Sequence, residues 1–524
     1  MNFPSKKIIP TVLVILDGFG LRDKDAVGNA VTPSTAPFLF SLMETYPSIT
    51  LSAHGEDVGL MFGQDGNSEA GHLCIGAGRP VQQDIVRVNH AIADGRFFKN
   101  EAFKQGILHA KKHNSAIHVM GLLTDGHSAH ASPEHVYALL DLMHESGCEE
   151  IYIHLFTDGR DAPPHAAITY IADLRSHMHG TEKIASICGR QYAMDRNKCW
   201  ERTKEAYDMM VSGIAPYQAS SAEEALTQAY NRNETDEHIS STVLVDEHDK
   251  PIARIKDHDV VFFFNTRSDR ARQLTKVFVQ PDFEAHNHGT FTRLNHPKDI
   301  RFVAMSDFGP DLPGVLTAFP SPDIINSLPC VIDETYKQLY ISESEKYAHV
   351  TFFINGGYAD PICDESRVLI HSEDVDNYAD TPLMQTSVVV DSIIEKMDKE
   401  EYTFVTVNLP NADMIGHTGD LAAAKQAVMH LDKEVQRLVE YILSIHGQLF
   451  ITADHGNAEE MLDIVTNEIM TKHTMNPVPC IVVGDMHRNG ILRSGGSLCD
   501  VAPTLLSMMS IPMPSEMTGQ NLFE

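Results

Sequence analysis

Carboxylates and imidazoles recur in this sequence where an apolar run stops. Asp17 follows VLVIL and precedes Gly-Phe-Gly. Asp413 and His417 lie in NLPNADMIGHTGD, where a spacing of four puts both on one face if the segment is helical. Asp454 and His455 follow QLFIT and precede Gly-Asn. Neighbours in a regular strand face opposite ways, so this pair converges only where the strand ends and the chain turns. His473 lies in TKHTMNPVP, a loop held by Pro477 and Pro479. Singly, Asp before Gly is an ordinary turn, and a loop histidine is ordinarily solvated. Together these segments supply three carboxylates and three imidazoles without a thiolate. Such a set suits two borderline or hard divalent ions, Mn2+ first, with Zn2+, Co2+ or Mg2+ as alternatives.

Ser68 stands in GQDGNSEAGH, residues 63–72. The plainer reading makes it part of a helix start, because Ser or Asn ahead of Glu-Ala accepts an orphan backbone N–H. The other reading is a nucleophile, and that needs partners elsewhere in the chain. Arginines stand near several strand ends: Arg160 beside Asp161 in TDGRD, Arg190 in ICGR, Arg196 in MDR, and Arg267 and Arg270 in FNTRSDR. Any one arginine is most simply a surface ion pair. If the ligand is an anion, a local cationic cluster must hold it against the acidic background, and each guanidinium can clamp oxygens in a bidentate fork.

These residues need a frame. Short apolar runs (TVLVIL, AIHVMGLL, IYIHLF, IASIC, VVFFF, FVAM, HVTFFI, TFVTV, QLFIT, CIVVG) read as buried strands. Amphipathic stretches such as PEHVYALLDLMHE, HAAITYIADLRSHM and AAAKQAVMHLDKEVQRLVEYIL lie between many of them. That alternation predicts an α/β fold with mostly parallel sheets flanked by helices, whose ligands collect beyond the carboxyl ends of the strands. Turn residues mark possible boundaries at GAGRPVQQD (76–84) and VLTAFPSPD (315–323).

The 524 residues leave room for two to four domains, and 41 basic against 72 acidic side chains give a net charge of −31. That field disfavours nucleic acid and anionic membrane as non-specific partners. The eight cysteines include no C-x-x-C pair and read as reduced, mostly buried residues. MNFPSKKIIP runs straight into a strand, and no apolar run reaches about 18 residues, so the expectation is a cytoplasmic chain.

Several longer blocks carry a resemblance across nearly the whole chain: ILDGFG, GNSEAGH, LFTDGRDAPP, GRQYAMDRNKCWER, FFNTRSDRARQLT, SESEKYAHVTFFINGG, PNADMIGHTGD, ITADHGNAE, KHTMNPVP and DVAPTLLSMMSIPMPSEMTG. The sequence resembles the cofactor-independent (2,3-bisphosphoglycerate-independent) phosphoglycerate mutases of the alkaline phosphatase superfamily. The resemblance implies two α/β domains. A phosphatase-like metal domain would be discontinuous, residues 1–82 and 319–524, with an inserted phosphotransferase domain at 83–318.

The resemblance also assigns roles. Asp413, His417 and His473 would hold one ion, and Asp17, Ser68, Asp454 and His455 the other. Ser68, activated by its metal, would take the phosphoryl group of 3-phosphoglycerate and return it to the 2-hydroxyl of glycerate, with no bisphosphoglycerate needed. Arg160, Arg190, Arg196, Arg267 and Arg270 would bind substrate, Asp161 would shuttle protons, and Lys346 in SEKYAHV would stand near the bridging oxygen. Where the family usually has SDGGVHSH, this chain has TDGHSAHASPEH. Aligning on the downstream HVYALL makes His130 the phosphate contact; aligning on the upstream TDG makes it His127, and His130 is the preferred choice. The enzyme would be a monomer whose insert closes over substrate to keep water from the phosphoserine. A metal-dependent phosphomonoester hydrolase, another phosphomutase and a catalytically silent homologue are the alternative readings.

Overall fold

A computed structural model describes residues 8–524, except 127, 333–335, 363–364, 401, 464–465 and 467. Its strands, in chain order, are β1 (Thr11–Leu16), β2 (Ser48–Ser52), β3 (Ile117–Leu123), β4 (Ile151–Thr157), β5 (Glu182–Gly189), β6 (Tyr217–Ala219), β7 (Thr242–Leu244), β8 (Val260–Phe263), β9 (Arg301–Ser306), β10 (Leu316–Phe319), β11 (Gln338–Glu343), β12 (Ser366–Ile370), β13 (Phe404–Leu409), β14 (Gln448–Thr452), β15 (Val478–Val483) and β16 (Gly496–Ser497). They form two eight-stranded sheets, ordered β12-β11-β13-β1-β14-β15-β2-β16 and β10-β9-β8-β3-β4-β5-β7-β6. The chain divides accordingly into two units, residues 1–83 with 323–524, and Asp84–Pro322.

In the discontinuous unit, β1 is buried along its whole length and pairs in parallel with β13 (Thr11↔Phe404) and β14 (Thr11↔Gln448). Burial on both faces explains why TVLVIL is apolar without alternation. The shared register brings the carboxyl ends of the three strands to one edge, where Asp17, the short helix Asn411–Gly416 and the Asp454 turn follow. The long helix Leu421–Ser444 covers the sheet with a stripe that includes Ala424, Val428, Leu431, Val435, Leu438 and Ile442. Asp420 caps it, accepting the Ala422 and Ala423 N–H groups.

In the other unit, β3 lies between β4 and β8, all parallel, and β5 extends the parallel set. The carboxyl ends of β4, β5 and β8 lead into TDGRD, the Arg190 turn and NTRSDR. Among the described residues no helix is long and apolar enough to cross a membrane.

Two expectations need correction. HVTFFI is not a strand: His349–Phe353 forms a wide helical turn, closed by Ile354 N–H donating to His349 O at 3.2 Å. A short apolar run has no period long enough to separate strand from helix. Packing decides here, because a Cβ on Gly76 would lie 2.0 Å from Ile354 O, so the turn presses directly on the Ser68–Ala77 helix. Nor are all cysteines reduced. Cys74 of that same helix is joined to Cys499, with Cα atoms 5.1 Å apart and a sequence separation of 425. Local cysteine spacing cannot reveal a pair that only the fold brings together.

Candidate active site

The helix Ser68–Ala77 is capped by Asn67, whose side chain accepts the Ala70 N–H at 2.9 Å. Ser68 is thereby relieved of capping, and its Oγ points elsewhere. It lies 2.9 Å from His455 Nε2, 3.4 Å from Asp17 Oδ1, and accepts from Lys346 Nζ at 2.8 Å. One turn on, His72 Nδ1 stands 2.9 Å from Ser68 O and braces the start of the helix.

Two groups of possible metal ligands meet here. In each of Asp17-Asp454-His455 and Asp413-His417-His473, one candidate ligand atom per residue lies within 4.8 Å of the others. His417 Nε2 and His473 Nε2 are each 3.2 Å from Asp413 Oδ1. The second ring nitrogens face carbonyls: His417 Nδ1 to Thr471 O (2.7 Å), His473 Nδ1 to Gly66 O (2.9 Å) and His455 Nδ1 to Gly456 O (3.3 Å). With Nδ1 donating to its carbonyl, as it would when a metal is bound, each Nε2 would face the cluster as a ligand atom.

Close backbone approach makes this convergence possible. Gly18 has φ +72°, and a Cβ there would lie 2.6 Å from Asp413 Cα, so β1 can turn against the Asn411–Gly416 helix only at glycine. Asp454 Oδ1 accepts from the Gly18 and His455 N–H groups, while the buried Oδ2 stands 3.3 Å from His72 Nδ1 and 3.4 Å from His455 Nε2. Three buried carboxylates gathered in this way suit a cation site.

Residues 88–310 match the family described as BPG-independent PGAM N-terminus, and 322–493 match type I phosphodiesterase / nucleotide pyrophosphatase. Over 518 residues the chain is 46% identical to 2,3-bisphosphoglycerate-independent phosphoglycerate mutase 1 of Methanosarcina barkeri, with 98% of each chain covered. It is 44% identical to the 2,3-bisphosphoglycerate-independent phosphoglycerate mutase of Clostridium botulinum, covering 99% of this chain and 100% of that one. The chain belongs to the 2,3-bisphosphoglycerate-independent phosphoglycerate mutases. A crystal structure of Leishmania mexicana phosphoglycerate mutase, at low cobalt concentration, matches with TM-score 0.73 and 28% identity, covering 100% of this chain and 99% of that one.

In this member of the family, three buried carboxylates surround one ammonium, an excess of negative charge that divalent cations would neutralise. Burial and Asp454 push the Asp17 carboxyl up to about 7, against the pull of Lys346. Burial also works against an ionised Asp413, but Lys346 and the His417 and His473 rings outweigh it and hold that group well below the usual carboxylate range. Burial opposes the Lys346 charge; Asp17 and Asp413, each with an oxygen 2.7 Å from Nζ, reverse that and raise its pKa. Burial drives His455 down to about 4, which keeps it neutral.

The insert unit gathers its own charged set. Arg190 is buried, and its Nη1 donates to Asp158 (2.6 Å) and Asp161 (2.7 Å), while its Nε is buried without a partner. Asp161 also accepts from Ser128 Oγ at 2.6 Å; burial would raise its pKa, but Arg190 and Ser128 lower it on balance, so it stays ionised. Arg196 and Arg267 both pair with Asp269, at 2.6 and 3.4 Å. Arg270 donates to Met194 O, and its pKa is lowered by burial and by Arg190, Arg196 and Arg160 nearby. Arg160 is more loosely held, 3.5 Å from Glu237. Burial and Arg190 push His130 down to about 4, and its Nδ1 is buried without a hydrogen-bond partner. His127 lies outside the described residues.

Sequence reasoning missed the residues behind these. Asn408 Nδ2 donates to Asp17 Oδ2 at 2.6 Å, and Asn457 Nδ2 to Asp413 Oδ1 at 3.0 Å. Glu459 is fully buried and accepts the Gly20 (3.0 Å) and Asn457 (2.8 Å) N–H groups on one oxygen. Its other oxygen takes Thr474 Oγ1 and Asn476 Nδ2. One carboxylate thus ties together the loops that carry Asp17, His455 and His473. The signal was present in ADHGNAEE, which extends polar residues well past the ligands.

Proposed function

We propose that this chain interconverts 3-phosphoglycerate and 2-phosphoglycerate, with Ser68 carrying the phosphoryl group between the two oxygens and no bisphosphoglycerate required. The observation that carries the reading is Ser68 Oγ, free of capping and placed among Lys346, His455 and Asp17. Asp413, His417 and His473 would hold one divalent ion, and Asp17, Ser68, Asp454 and His455 a second, Mn2+ being our first choice. Bound there, the ions would neutralise phosphoryl oxygens and favour the serine alkoxide.

The chain's own groups account for the rest. Ser68 Oγ bonds to phosphorus as the bond from phosphorus to the substrate's 3-oxygen breaks, and the serine proton ends on that oxygen. The reverse step uses the 2-hydroxyl of glycerate. Lys346 steadies negative charge on the bridging oxygen. Ionised Asp161 accepts and returns protons at the glycerate hydroxyls. The arginines at 160, 190, 196, 267 and 270, with His130, hold carboxylate and phosphate oxygens. We further propose a cytoplasmic monomer acting on small phosphoglycerates; the net charge of −31 supports a role without nucleic acid or anionic membrane as partner.

The test is incubation of Mn2+-loaded protein with 3-phosphoglycerate alone, following 2-phosphoglycerate and free phosphate. Isomer without phosphate release is expected, and Ser68→Ala should abolish it. Phosphate release with no isomer, or a fully active Ser68→Ala, would overturn the proposal.

A further inference from the structure

The helix Glu101–His113 ends on two histidines, His109 and His113, spaced by four and therefore on one face. Their rings stack with centroids 4.5 Å apart. Two loops meet that face: one carries His258, just before β8, and the other Asp299, just before β9. One ligand atom each from His109, His113 and Asp299 lies within 4.8 Å of the others. The cluster sits past the amino ends of β3, β8 and β9, whereas the arginines follow carboxyl ends. Seven residues of β3, at about 3.3 Å each, set the two ends of that sheet roughly 20 Å apart.

We propose that His109, His113 and Asp299 form a further metal site in the insert unit, for zinc or a similar borderline divalent ion. The surroundings are those of a ligating set rather than a chance histidine stack. His109 Nε2 stands 3.0 Å from His258 O. Donation there leaves Nδ1 bare, the arrangement that fixes the tautomer of metal-bound histidines. His258 Nδ1 lies 2.9 Å from Asp299 Oδ2, which orients the carboxylate and leaves its other oxygen to bind. The loops are themselves held: His258 N–H donates to Lys298 O at 2.9 Å, and Lys298 N–H to Asp257 Oδ1 at 2.7 Å. His258 (φ +68°) and Asp299 (φ +54°) both adopt left-handed backbone, a cost tolerated where surrounding contacts fix a side chain.

Two imidazoles and one carboxylate favour a borderline transition ion over calcium or magnesium, which prefer all-oxygen shells. A cleft of about 330 Å3 opens beside the cluster, with His113 and His258 on its wall. An ion here would clasp the carboxyl end of the Glu101–His113 helix to the loops that start β8 and β9.

The experiment is equilibrium dialysis of the full chain against zinc, with metal counted per chain, for the wild type, His113→Ala, Asp299→Asn and, as a control, the exposed His248→Ala. Each of the first two variants should hold one zinc fewer than wild type, and His248→Ala the same number. Mn2+-supported isomerase activity should be unchanged in all of them, which also reports that they fold. Equal zinc counts in wild type and both site variants would overturn the site, as would an equal loss in His248→Ala.

Discussion

Lys346 Nζ donates to Ser68 Oγ at 2.8 Å. The ammonium reaches the hydroxyl while paired with Asp17 and Asp413, so it is held in place before substrate arrives. Such a fixed cation acts on charge that develops during transfer, at no reorganisation cost. Lys346→Met should therefore lower kcat by roughly 100- to 1000-fold, the range for removing one prepositioned donor. Metal affinity should hold or rise, because the ammonium competes with cations for the same carboxylates. Steady-state kinetics with a metal titration decides it: wild-type kcat would remove Lys346 from the chemistry.

Glu459 touches no proposed ligand but binds the backbone or neighbours of three loops that carry them. A glutamine has the same shape, yet its amide can accept on one side only. Glu459→Gln should weaken metal binding by about 10- to 100-fold, the usual effect of losing an outer-shell partner. Circular dichroism should show the fold intact, so the change is one of positioning. An unaltered metal titration would show that the loops hold themselves.

The same contrast explains how much could be read in advance. Asp17 and the Asp454-His455 pair were legible because each follows an apolar run and precedes glycine, a pattern written in adjacent letters. Asn408 was not, although it lies within NLPNAD. Its role depends on β13 pairing with β1 so that Ile15 faces Asn408, and nothing in either segment states that register. Likewise β11 (QLYISE) is entirely buried yet carries polar letters, so its place in the sheet is a tertiary fact. HVTFFI failed the other way, its composition suiting a strand while packing against the Ser68 helix imposed a turn. The arginines could be named but not ranked, because burial separates Arg190 from the rest.

That separation has consequences for stability. Arg190 has a side chain only 3% exposed and is the partner of Asp158, which is fully buried, whereas Arg196 is 49% exposed in its pair with Asp269. Removing one member of a buried pair strands the other, at about 3–5 kcal/mol, while an exposed pair contributes about 0–1 kcal/mol. Arg190→Ala should lower unfolding stability strongly and Arg196→Ala scarcely, although under the proposed function both should raise KM. Urea unfolding of the two variants side by side would test this, and equal destabilisation would contradict it.

Glu343, at the end of β11, gives a dependence on pH that is separate from the metal ligands. Burial outweighs the Gln385 N–H at 3.0 Å and raises its carboxyl from an ordinary 4.5 to about 7. The folded state therefore holds a proton that the unfolded chain releases near pH 4.5. A raised folded pKa contributes stability that is fully present below the unfolded value and is lost as pH climbs through the folded one. The window thus runs from about 4.5 to about 7. A shift of that size corresponds to roughly 3 kcal/mol. Glu343→Gln keeps the neutral form at every pH and should lack this loss. Its stability relative to wild type should grow by roughly 2.5 kcal/mol between about pH 5 and about pH 8, with contributions from other groups cancelling in the difference. Urea unfolding of both proteins at the two pH values supplies the measurement, and a difference that does not change with pH would mean that Glu343 is ionised in the fold.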